Sequence, residues 1–78
     1  MTLLEEAIQY VRDNATWTEA EFEAARDKVE RYRCGIAHAD SYISDAIYDL
    51  MEEFGEDNDL PEGWFLDVAD EDDIFRQL

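Results

Sequence analysis

Asp45, Asp49, Glu52 and Glu56 recur at intervals of four, three and four residues, and the stretch GEDNDLPEGWFLDVADEDDIF, residues 55–75, carries nine carboxylates and no basic residue. Carboxylates at that density can ligate a hard cation, exchange protons in catalysis, or face a cationic surface. The first chemistry fails on register. A calcium loop of the EF-hand type needs oxygen ligands at alternating positions and a glycine at the sixth. Counting from Asp57, positions 1 and 3 are Asp57 and Asp59, but positions 5 and 6 are Pro61 and Glu62; counting from Asp70, position 5 is Ile74. Cys34 and His38 are zinc-ligand types four residues apart, yet Gly35 between them weakens a helix and no second Cys or His completes the set. They read as a small apolar residue and an ordinary polar one, and no metal or cofactor is assigned.

Acid–base catalysis requires a concave, partly dry pocket that separates the pKa values of paired carboxylates, and it usually recruits a His, Lys, Arg or Ser beside them. A chain this small rarely encloses such a pocket, and among Lys and Arg residues 40–78 offer Arg76 alone. The expectation is a protein that is not an enzyme. The third chemistry remains: an acidic surface that meets a basic one.

Net charge points the same way. The 78 residues carry a formal charge of −16, with −3 on residues 1–39 and −13 on residues 40–78. Such a chain is repelled by anionic lipid headgroups and by DNA or RNA, so neither membrane nor direct nucleic-acid binding is expected. With 46% hydrophobic and 13% aromatic residues it is too apolar for a disordered acidic tail. One domain over 1–78 is expected, with residues 1–39 as scaffold and 40–78 as the acidic, functional part. The lone Cys34 makes no internal disulfide, no charged-then-apolar stretch near the N-terminus resembles a signal peptide, and no apolar run approaches 18 residues. The expected compartment is the cytoplasm, that of a bacterial host if the protein is phage-encoded.

The elements that must position these acids read as helices. Thr2 three residues before Glu5 forms a capping box for a helix over about 3–13, with Leu4, Ile8 and Val11 on its apolar face. Thr18 and Glu21 form a second box, and Trp17 stands where it can staple onto Phe22. That helix buries Phe22, Ala25, Val29 and Tyr32, pairs Glu23 with Arg26, Asp27 with Arg31 and Glu30 with Arg33, and stops at Gly35. Asp40 or Ser41 caps a helix running to Phe54 and closed by Gly55, with Ile43, Ala46, Ile47, Leu50 and Phe54 inward and the carboxylates outward. Pro61 and Gly63 punctuate a loop, after which Trp64, Phe65, Leu66 and Val68 form a short apolar run of extended or undecided shape. Asp70 caps a last short helix bearing Ile74, Phe75 and Leu78. The fold class is all-α: a small three- to four-helix bundle with an irregular, acidic, aromatic-containing C-terminal segment.

The run TEAEF at residues 18–22 resembles a helix start in the acidic immunity proteins that neutralise colicin-type nucleases. The likeness covers five residues, each of which capping also explains, and that family's adjacent tyrosine pair has no counterpart here. It implies one workable role for an acidic helical domain: binding a basic enzyme.

Glu71, Asp72 and Asp73 suit a helix N-terminus, where anions meet the positive end of the macrodipole. That leaves Asp45, Asp49, Glu52, Glu53, Glu56, Asp57, Asp59, Glu62 and Asp67 without a local reason, and solubility alone is served by mixed signs and a far smaller net charge. Binders of DNA line up Lys and Arg to neutralise phosphates. Carboxylates repeating every turn, about 6 Å apart for four residues, offer such a row a substitute ladder. The leading expectation is a small acidic inhibitor, monomeric or homodimeric, that binds the basic nucleic-acid-binding surface of a partner protein or nuclease complex. Phages and mobile elements deploy nucleic-acid mimics of this sort against restriction and CRISPR systems. The candidate contact residues are those nine acids with Trp64, Asp70, Glu71, Asp72 and Asp73. A nuclease immunity protein or helical regulator acting at an exosite is the alternative, and a structural or oligomerisation module the second.

Overall fold

A computed structural model describes residues 2–78. The chain folds as α1 (Leu3–Asp13), α2 (Glu19–Tyr32), α3 (Ile36–Ala39), α4 (Ser41–Asp57), a 3₁₀ turn (Trp64–Asp67) and α5 (Glu71–Gln77), with no strand among the described residues. The small all-α bundle expected from the sequence is the fold observed.

Local chemistry starts each long helix. Thr2 Oγ1 accepts the Glu5 N–H at 3.1 Å while Glu5 returns a carboxylate oxygen to the Thr2 N–H at 3.2 Å. Thr18 and Glu21 repeat the exchange at 3.2 Å in each direction. Trp17 stacks on Phe22 with ring centroids 6.2 Å apart, the staple that sets the entry angle into α2. Asp40 accepts the Ile43 N–H at the head of α4, and Asp70 accepts the Asp73 N–H at the head of α5.

α4 is the centre of the bundle, touching α1, α3, α5 and the 3₁₀ turn. Ile43, Ile47, Met51 and Phe54 on its inner face meet Ala7, Ile8 and Val11 from α1, Ile36 from α3, Phe65 from the 3₁₀ turn and Ile74 and Phe75 from α5. Phe22 of α2 closes the far side against Phe75, 4.8 Å between centroids. A buried Ile or Phe side chain is worth about 1.5–3 kcal/mol of transfer free energy, so this shared core outweighs any surface ion pair.

Several local expectations are corrected. α2 ends at Tyr32 with Arg33 in the left-handed conformation at φ 51°, whereas Gly35 is at φ −74° and heads the short α3. Arg33 therefore leaves the helical face that would pair it with Glu30; the Glu23–Arg26 and Asp27–Arg31 pairs form, at 3.4 and 3.0 Å. Tyr32 is 67% exposed and Val29 only half-buried, because α2 packs through its N-terminal half. Cys34 lies in the break between α2 and α3 and His38 on α3, so the two share no helix, in line with the reading of Gly35 as a weak point. Gly55 does not close α4, which continues to Asp57 with Asn58 as its cap. Met51 is fully buried and Leu50 half-buried, so the inner stripe of α4 lies one residue further round than the reading through Leu50 placed it. The apolar run after Gly63, whose shape the sequence left open, is a 3₁₀ turn: Phe65 is fully buried, Trp64 half-buried, and Leu66 and Val68 exposed.

Candidate functional site

The outward face of α4 follows from its inward one. With Ile43, Ile47, Met51 and Phe54 turned to the core, the 3.6-residue period turns Asp45, Asp49, Glu53, Glu56 and Asp57 to solvent, and all five are exposed. No Lys or Arg lies on this helix. Among the described residues the three ion pairs involve Glu23, Asp27 and Asp73, so the acids of α4 meet no cation.

The loop after α4 folds back along this face. Asn58 Nδ2 donates to the Phe54 carbonyl at 2.8 Å, Leu60 N–H donates to the Gly55 carbonyl at 2.8 Å, and Asp59 takes the left-handed conformation at φ 56°. The turn brings Leu60 and Glu62 beside α4. A shallow groove of about 500 Å³ results, lined by Tyr48, Asp49, Glu52, Glu56, Leu60 and Glu62. Four of the candidate acids thus converge on one concavity.

Glu52 has a second task there, because its carboxylate accepts the Gly63 N–H at 2.6 Å and ties the loop to the helix. Trp64 anchors the other end. Its indole N–H donates to the Met51 carbonyl at 3.1 Å, and its ring packs between Phe54 and Phe65 at centroid distances of 5.9 and 6.0 Å. Trp64 is a half-buried anchor of the loop.

The acids at the start of α5 are engaged within the molecule. Asp70 caps the helix, Glu71 accepts from the Ser44 hydroxyl on α4, Asp72 accepts the Ile36 N–H at 2.6 Å, and Asp73 pairs with Arg76 at 2.6 Å. Glu71 and Asp72 are only partly exposed. These contacts pin α5 to α3 and α4. Asp67 is exposed at the end of the 3₁₀ turn, and Asp57 and Asp59 are exposed at the foot of α4.

Glu53 and Asp57 lie on the side of α4 that faces Tyr10 of α1. Desolvation by its surroundings, and then the negative charges of Glu53 and Asp57, hold the Tyr10 phenol above its ordinary value of 10.0. Tyr10 packs on Phe54 at 5.9 Å, which keeps its ring against the core edge.

Sequence reasoning missed Tyr48 and Leu60 as groove residues. The signal for Tyr48 was present: it stands three residues after Asp45 and four before Glu52, on the same helical face. Its ring is held edge-on to Phe65 at 5.3 Å, so the groove floor is fixed from beneath. Leu60 had no local signal, since the turn that places it depends on the carbonyl of Gly55 and on Glu52.

No grouping of His, Cys, Asp and Glu among the described residues has the geometry to hold a metal ion. No helix among them is long and apolar enough to cross a membrane. The chain has no match among protein-family models, curated proteins or solved structures.

Proposed function

We propose that this protein is a small acidic inhibitor that occupies the basic nucleic-acid-binding surface of a partner protein, in the manner of a nucleic-acid mimic. The observation that carries the reading is the convergence of Asp49, Glu52, Glu56 and Glu62 on one groove of a helix that holds no cation. Like charges gathered this way oppose folding, and they are offset when Lys or Arg side chains of a partner enter among them. Asp45 extends the row one turn upstream, and Asp59, exposed in the loop, lies past the end of α4. The row spans residues 45–56 of a continuous helix, about 17 Å at 1.5 Å per residue, comparable to the reach of several phosphates along a nucleic-acid strand. The α5 acids contribute to the field, while their contacts to Ser44, Ile36 and Arg76 assign them first to holding the fold. Phage or mobile-element origin, with a restriction or CRISPR nuclease as target, is the biological setting in which such a mimic has use.

The test is competition. A basic partner recovered on the immobilised protein is titrated with its own nucleic-acid ligand at two salt concentrations. The mimic reading expects mutually exclusive binding and an affinity that falls steeply with salt. A stoichiometric ternary complex of protein, partner and nucleic acid overturns it in favour of an exosite.

A further inference from the structure

Beside the acidic groove, and sharing Asp49 with it, lies a second concavity of about 290 Å³ with an apolar floor, lined by Thr16, Tyr42, Asp45, Ala46, Asp49 and Leu50. One wall comes from the α1–α2 connection and the other from the first half of α4. Tyr42 is 56% exposed, and its hydroxyl donates to Thr16 Oγ1 at 3.1 Å, which holds the ring across the mouth. Leu50 and Ala46 are half-buried at the base. Asp45 and Asp49 stand on the rim, both exposed and without a cationic partner among the described residues.

We infer that the two grooves act together as a receptor for a basic amphipathic segment of the partner, one large apolar side chain entering between Tyr42 and Leu50 while neighbouring Lys or Arg side chains enter the acidic groove. The inference rests on the proposed reading of α4 as a surface for basic proteins, and it specifies the chemistry of the segment recognised. Charge complementarity selects the occupant. An acidic or neutral apolar segment would bring no counter-charge to Asp45 and Asp49, and a second copy of this chain would bring −16 against −16. A purely cationic segment would leave the apolar floor wet.

The spacing is defined by the helix. The apolar groove is centred near residue 46 and the acidic groove near residue 52, about 9 Å apart along the axis. A helical partner segment therefore carries its apolar anchor about six residues from the centre of its basic cluster, and an extended one about three residues away.

The test uses the full chain and synthetic peptides. The first peptide is a helical 20-residue segment with four Arg and Lys residues centred six positions from a single Leu. The second replaces that Leu by Ala, the third moves it to the opposite face, and the fourth replaces the basic residues by Gln. Titration calorimetry at low salt is expected to show the first binding about tenfold more tightly than the second and third, the gain expected of one well-seated apolar anchor. The fourth is expected not to bind. Ala46→Gln, which fills the groove floor without changing charge, is expected to bring the first peptide down to the affinity of the second. Equal binding of the first three peptides, or a gain that survives Ala46→Gln, overturns the anchor groove and leaves the basic-surface reading in place. Failure of every basic peptide to bind overturns that reading as well. Tyr42→Phe, which removes the hydroxyl and keeps the ring, is the second variant: the anchor gain is expected to shrink as the ring loses its tie to Thr16, and an undiminished gain in a variant of parental stability would overturn the role given to that bond.

Discussion

A Cβ added to Gly55 would stand 2.6 Å from both Cδ1 and Nε1 of Trp64, so the indole occupies the space that any other residue at 55 would fill. The glycine sits inside α4, two residues before its end, where helix propensity alone favours alanine by about 1 kcal/mol. The indole has little room to yield, because its N–H is bonded to the Met51 carbonyl and its faces are held by Phe54 and Phe65.

Gly55→Ala is therefore expected to destabilise the protein by about 1–3 kcal/mol, the usual cost of overpacking, despite improving the helix locally. Urea unfolding followed by Trp fluorescence measures it. Gain of stability would mean that Trp64 does not pack on the helix in solution.

The same contact shows what could be read in advance. Helix starts were legible because their causes are local: Thr2 with Glu5, Thr18 with Glu21, and the caps Asp40 and Asp70 act within three residues. The end of α4 was not, because Gly55 in the sequence looks like a stop and is instead a seat for a ring nine residues later. The α2 terminus was misread for a related reason. Gly35 is the residue best suited to the left-handed conformation, yet Arg33 adopts it at φ 51° so that Gly35 can head α3. A Cβ at Gly35 would lie 3.1 Å from the Asp72 carboxylate, another long-range requirement. The α4 acids were legible from their period; the division between exposed acids and those engaged by Ser44, Ile36 and Gly63 was not, because those partners lie 11 to 36 residues away.

That division gives a second prediction. Asp72→Ala removes the acceptor of the part-buried Ile36 N–H at the α3–α5 junction, and hydrogen bonds to charged groups are worth about 1.5–3 kcal/mol. A loss of roughly that size is expected in chemical denaturation, with faster exchange of the Ile36 amide. Asp49→Asn, which touches no intramolecular partner among the described residues, is expected to change stability by less than about 0.5 kcal/mol. Equal losses from both would place Asp49 in the fold and outside the binding surface.

Tyr10 supplies a prediction in pH. Its folded pKa is raised above 10.0, by desolvation first and by Glu53 and Asp57 next. Below the unfolded value both states hold the proton and stability is unaffected. As pH rises past about 10 the unfolded state ionises first, so the native state holds more protons and stability falls through the folded pKa. Difference absorbance between the parent and Tyr10→Phe near 295 nm isolates the phenolate of this residue. Its midpoint is expected above 10, and Glu53→Gln with Asp57→Asn is expected to lower it. A midpoint that ignores both substitutions would remove the carboxylates from the environment of Tyr10.

The last prediction concerns the charge row on α4. Asp45, Asp49 and Glu56 are exposed and pair with nothing among the described residues, whereas Glu52 holds the Gly63 N–H and belongs to the fold as well. Like charges three or four residues apart on a helix cost about 0.2–0.5 kcal/mol per pair. Neutralising Asp45, Asp49 and Glu56 together, to Asn, Asn and Gln, is expected to raise the melting temperature at low salt. Added NaCl is expected to raise that of the parent and to narrow the gap, because screening relieves in the parent what substitution has already relieved in the variant. The same variant is expected to lose affinity for basic peptides and to show a shallower salt dependence of binding, since fewer charge pairs form. Glu52→Gln behaves differently, as it weakens the tie to Gly63 and lowers the melting temperature. Thermal unfolding of the parent, the triple variant and Glu52→Gln across a salt series separates the two roles, and a triple variant that melts below the parent at every salt concentration would show that the acids of α4 stabilise the helix rather than wait for a cationic partner.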